Sequence, residues 1–163
     1  AYFDQFPRVK GFLENVVSDA ERNTYTKTLF GRKRFIRELA SSNFQLKAMG
    51  KNFVQLTGND DNALEFNKRG GVGAIGVTAN VAPKLASDFQ KACLKNNIEE
   101  ATKIDNILQP LHTSLFIESN PSPVKYAASL LGICSPAVRL PLVEVKEETK
   151  KKISEALKVA KLL

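Results

Sequence analysis

The chain has one histidine, two cysteines and no apolar run longer than a few residues among its 163 positions. Each shortage excludes a class of protein. A bilayer-spanning helix needs about 20 consecutive apolar residues, so no membrane span and no membrane partner are predicted. The opening AYFDQFPRVK lacks the basic-then-apolar order of a signal peptide, and the expectation is a soluble, cytoplasmic protein. A lone His112 rules out a His-based metal cluster within one chain and leaves a catalytic histidine without an evident nucleophile. It is read as a partly buried helix residue. Cys93 and Cys134 lie in apolar stretches with no second pair nearby, which suits reduced core thiols better than a disulfide framework or a zinc site. Also absent are a nucleophile elbow, a phosphate loop, a CxxC pair, an HExxH helix, internal repeats and low-complexity tracts. Neither a cofactor nor a metal is expected.

What is present describes a globular chain. Apolar residues make up 43% and charged residues 25%, enough material for a real core. The net charge of +7 favours an anionic partner through long-range attraction, and its location matters. Residues 1 to 50 carry nine Lys or Arg against five acids, leaving 15 against 12 for the remainder. Arg32, Lys33, Arg34 and Arg37 form the densest basic cluster. Lys150, Lys151 and Lys152 form the other run, read as a solvated helix face.

From Val9 to Arg22 the apolar residues recur at helical spacing behind Pro7. TYTKTLFGRKRFI then reads as a hairpin whose tip displays the basic cluster, and Ser41 to Asn43 offer a cap for a helix interrupted at Gly50. After Gly50 the pattern becomes a strand FVQLT, a turn at Gly58 to Asp61, a helix around Ala63 to Lys68 and a second strand within GVGAIGVTA. That order is a βαβ unit with two parallel strands. Beyond Pro83 everything reads as helix. Leu85, Phe89 and Ala92 form one stripe. Ile104, Ile107, Leu108, Leu111 and Leu115 form another behind an Asn97 cap, with Pro110 predicted to kink that helix. A short helix opens at Ser122-Pro123 and closes at Gly132, and the last carries Ile153, Ala156, Leu157 and Ala160 on one face.

Two local patterns invite chemistry and are set aside. Gly71-x-Gly73-x-x-Gly76 spells the dinucleotide fingerprint, yet it lies before and inside a strand, whereas a phosphate loop follows a strand and opens a helix. Its glycines are read as allowing close backbone approach. Asp60, Asp61 and Glu65 offer hard oxygens without calcium-loop or octahedral spacing, and they read as an acidic helix start.

Longer words carry two resemblances, with a junction near residues 46 to 51. Residues 1 to about 48, through the YF-x-x-x-P opening, the TLFGRKR hairpin and an Arg-x-Leu-x-Ser-x-Asn entry, resemble a fragment of the family A DNA polymerase domain. Thr24 stands where that family usually has glycine, and its metal-binding aspartate motifs fall outside the segment, so the resemblance implies no polymerase activity. It implies at most backbone contact with nucleic acid through Arg32, Lys33, Arg34 and Arg37.

Residues from about 52 to 163, through FVQLTGND, GGVGAIGVTANVAP, LQPLHTSLFIESNPSPVKYAASLLG and VRLPL, resemble the C-terminal part of the dihydrodipicolinate synthase family. This resemblance implies an α/β fold: the last two parallel strands of a (β/α)₈ barrel and a C-terminal helical appendage, preceded by a helix and β-hairpin segment. It divides the chain into residues 1–50 and 51–163. It implies a lyase of lysine biosynthesis that condenses pyruvate with aspartate semialdehyde, with pyruvate as ligand and a homo-oligomer as the assembly. Ile75 falls where a backbone carbonyl faces bound pyruvate, and Gly58 lies at the end of the preceding strand beside the same pocket. The family's Schiff-base lysine, proton-relay tyrosine and threonine pair belong to earlier strands, and neither Lys47 nor Lys51 stands in the lysine-bearing motif. No catalytic residue is therefore assigned, and inactivity of the chain alone is expected. The competing expectations are a small basic nucleic-acid-binding module that uses the hairpin, and a structural α/β chimera without ligand.

Overall fold

The computed structural model describes Gln45, residues 47–50 and residues 52–163. The predicted N-terminal helix and basic hairpin lie outside these residues. The described residues fall into two compact units. One holds those up to Gln55 together with Arg69–Gly71, and within it the Gln55 side chain donates to Gln45 Oε1 at 3.1 Å. The other holds Leu56–Lys68 and Val72–Leu163 and contains the candidate site.

The second unit is built on five helices: α1 (Ala63–Lys68), α2 (Pro83–Leu94), α3 (Ile98–Ser114), α4 (Ser122–Leu130) and α5 (Glu147–Val159). Local chemistry explains their starts. Pro83 occupies the first turn of α2, where a missing N–H costs nothing. The Asn97 side chain accepts from the Glu100 N–H at 3.2 Å and caps α3 as its spacing predicts. Glu99 and Glu100 add negative charge where the helix dipole favours it.

Three helices end in the same way. After α2, Asn96 takes a left-handed φ of 56°, its N–H reaches the Cys93 carbonyl, and the Asn97 N–H reaches Ala92. After α4, Gly132 at φ 70° bonds Ser129 while Ile133 bonds Ala128. After α5, Lys161 at φ 54° bonds Lys158 while Leu162 bonds Leu157. These are Schellman closures, which satisfy carbonyls that the helix itself leaves unpaired.

The core lies among the helices. α3 packs on α2 and α5, and α4 packs on α5. Phe89 and Ala92 of α2 meet Ile104, Leu108 and Leu111 of α3 and Ile153 and Leu157 of α5 in one buried cluster. The α2, α3 and α5 stripes are therefore the faces that the sequence periodicity predicts, with one exception. Ile107 is 38% exposed, because one helical face cannot turn 104, 107, 108, 111 and 115 equally inward. α3 continues through Pro110 to Ser114.

Three expectations need correction. The two parallel strands are reduced, among the described residues, to a single parallel bridge between Thr57 and Ala74. It is closed by Thr57 N–H to Gly73 O at 3.0 Å and Ile75 N–H to Thr57 O at 2.9 Å. A longer parallel ladder requires neighbours on its edges and cover on both faces, whereas Leu56, Val72 and Ile75 stand exposed. The chain beyond Pro83 is also not helical throughout, since no helix forms between Leu131 and Lys146. Finally, Cys134 is exposed rather than a core thiol, while Cys93 is half-buried, and both are free.

Candidate functional site

Around the bridge, loop 57–62 and segment 73–78 are tied together by side chains reaching backbone. Thr57 Oγ1 accepts the Asn59 N–H at 3.1 Å and donates to Asn62 Oδ1 at 3.1 Å. This local bonding folds the chain sharply around exposed Gly58. Asp60 is buried, and its Oδ2 accepts the Val77 N–H at 2.7 Å and the Thr78 N–H at 3.0 Å. Both bonds are charge-assisted and compensate the cost of burying a carboxylate.

Gly76 belongs to the same contact. A Cβ built there would overlap the Oδ1 and Cγ of Asp60. The carboxylate therefore occupies the space that any other residue's side chain would need. Thr78 extends the network inward, its Oγ1 standing 2.8 Å from Nδ1 of buried His112 on α3. One of the two atoms donates, according to the imidazole tautomer.

Burial pushes the His112 pKa below its ordinary value, opposed by the nearby negative charges of Asp60, Asp105 and Asp61. Burial pushes the Asp105 carboxyl up, opposed chiefly by Gln109, whose Nε2 donates to both of its oxygens at 3.2 and 3.1 Å. Gln109 also reaches the Asp61 carbonyl at 3.2 Å. The base of the site is thus a polar chain running from α3 to the loop.

Ile75 and Gly58 come together at the ends of the two bridged segments. Ile75 is 74% exposed. Its N–H is committed to Thr57, and among the described residues no donor lies on its carbonyl oxygen. Asp60, Asp61 and Glu65 do not gather into a cation site: among the described residues no group of three metal-ligating side chains occurs. Asp60 instead bonds backbone. Arg32, Lys33, Arg34 and Arg37 lie outside the described residues. Sequence reasoning missed the Asp60 clamp and the Thr78–His112 pair. The first spans 17 residues and the second 34, separations to which local pattern is blind. Among the described residues no helix is long and apolar enough to cross a membrane.

Comparison with known proteins gives a consistent result. The model of the dihydrodipicolinate synthetase family matches residues 17 to 160. The match begins inside the segment read as polymerase-like, and nothing found supports a polymerase segment or nucleic-acid binding. The 4-hydroxy-tetrahydrodipicolinate synthase of Pelagibacter ubique is 61% identical over 140 residues, covering 84% of this chain and 48% of that protein. The chain thus spans about half the length of the curated relatives it matches. The crystal structure of the Aquifex aeolicus dihydrodipicolinate synthase superposes with a TM-score of 0.73 at 35% identity, over 76% of this chain and 42% of that one. The chloride-inhibited Acinetobacter baumannii enzyme, solved with pyruvate, superposes at 0.70 and 33% identity, over 75% and 42%.

Proposed function

The chain belongs to the dihydrodipicolinate synthetase family, and from that premise we propose that it carries the pyruvate-facing C-terminal part of a lyase condensing pyruvate with aspartate semialdehyde in lysine biosynthesis. The supporting observation is the Thr57–Ala74 bridge, whose two hydrogen bonds bring Gly58 and Ile75 to neighbouring ends of parallel segments. Barrel enzymes build their active sites at such C-terminal strand ends.

In this reading a lysine amine attacks the ketone carbon of pyruvate, and, with one proton taken up from solvent, the ketone oxygen leaves as water and a positively charged iminium forms. The Ile75 carbonyl oxygen faces that charge and stabilises it as a preorganised dipole. Gly58 presents bare backbone, so the small ketoacid can approach closely. The lysine is supplied by the other part of the barrel, because neither Lys47 nor Lys51 stands in the family's lysine-bearing motif. The chain by itself forms no adduct and turns over no substrate.

The test is co-expression with the complementary N-terminal part of the Pelagibacter ubique relative, followed by borohydride trapping in pyruvate and mass spectrometry of both chains. The expected result is an adduct on the partner's lysine and consumption of aspartate semialdehyde by the pair only. An adduct on a lysine of this chain, or a soluble pair without turnover, overturns the reading.

A further inference from the structure

The Ile75–Gly76 peptide group lies between two anchors. On its N-terminal side the bridge holds Ile75 by its N–H, 2.9 Å from the Thr57 carbonyl. On its C-terminal side the Asp60 carboxylate holds the N–H groups of Val77 and Thr78 at 2.7 and 3.0 Å. Between them Gly76 has no side chain, and the Asp60 carboxylate fills the place of its Cβ. With the residue before and the two after this peptide tethered, its plane has little freedom to rotate. The carbonyl of that plane belongs to Ile75. Thr57, Gly58 and Asp60 all come from one loop, so a single short stretch both lies beside Ile75 and tethers the segment that carries its carbonyl.

We infer that Asp60 and Gly76 are positioning residues that set the direction of the Ile75 carbonyl toward the bound ketoacid. This inference rests on the lyase reading above. Asp60 does not touch the substrate in this role. It acts through main-chain N–H groups, and a side chain at position 76 would push the carboxylate off them. Thr78 joins the clamp to α3 through His112, so the aimed segment is anchored to the helical core rather than to a free loop.

The test has two readouts. Amide hydrogen exchange on the intact chain is compared for wild type, Asp60→Ala, Asp60→Asn and Gly76→Ala. Loss of a hydrogen bond to a charged acceptor predicts about tenfold or greater acceleration at Val77 and Thr78 in Asp60→Ala and Gly76→Ala. Asp60→Asn, which keeps an acceptor oxygen, restores most of the protection, and amides of α2 and α3 stay unchanged. In the co-expressed pair the same two damaging variants raise KM for pyruvate about tenfold, with Asp60→Asn near wild type. Wild-type exchange at Val77 and Thr78 in Asp60→Ala overturns the inference, as does acceleration spread evenly over the unit or an unchanged KM in an active pair. An inactive wild-type pair overturns the lyase reading instead, and the exchange data still decide whether Asp60 holds this peptide.

Discussion

His112 shows how one buried residue makes the fold sensitive to acid. Its pKa is lowered in the folded state, mainly by burial, so the unfolded chain takes up a proton first as pH falls below about 6.5. Stability contributed by neutral His112 is full above that pH and is lost as pH drops toward the depressed folded value. Asp105 has the opposite sign. Its raised pKa means that the folded state takes up the proton first, so its contribution grows as pH falls through that raised value. The expected outcome is a Tm that declines from pH 7.5 to pH 5.5 and a shallower decline in His112→Asn, which retains a partner for Thr78 without titrating. Thermal melts across that range check it. The residue-scale chemistry was only partly legible beforehand. His112 reads correctly as a helix residue turned inward, but its partner is 34 positions away. Gly58 and Ile75 could be singled out only through family resemblance, because a backbone carbonyl leaves no mark in side-chain pattern.

At the scale of elements, starts were easier to read than ends. Asn97 with Glu100, Pro83 and Ser122-Pro123 are side-chain signals adjacent to the helices they open. Of the three Schellman closures only Gly132 announces itself, since Asn96 and Lys161 adopt the left-handed conformation without being glycine. Holding lysine there opposes the ordinary backbone preference. Lys161→Gly should therefore stabilise the chain by roughly 0.5–1 kcal/mol, a rise of a few degrees in Tm, measurable by calorimetry. The predicted strands fared worse than the helices for a related reason. A helix satisfies its own backbone, whereas FVQLT and GAIGVTA need partners that a run of β-branched residues cannot name. Only the Thr57–Ala74 contact is made among the described residues.

Within the second unit, burial concentrates in the helical cluster, while the bridged segments carry exposed apolar side chains. Leu111 is fully buried where α2, α3 and α5 meet. Leu111→Ala should cost about 2–5 kcal/mol, a large share of the total for a domain of this size. Urea denaturation should show the midpoint falling at unchanged slope. The bridged segments are different in kind: Leu56, Val72 and Ile75 remain exposed, and their arrangement depends on a few polar contacts rather than on burial. The Asp60 clamp is one of these, and it has a consequence for which sequences the loop can accept. A carboxylate that grips main-chain N–H groups is indifferent to the side chains those groups carry. At position 77 this contact rejects proline alone, which has no N–H to offer. At position 76 any side chain meets the carboxylate itself and must displace it. Two neighbours in the chain thus stand at opposite extremes of substitution tolerance, and a saturation library over positions 76 and 77 would separate them at once.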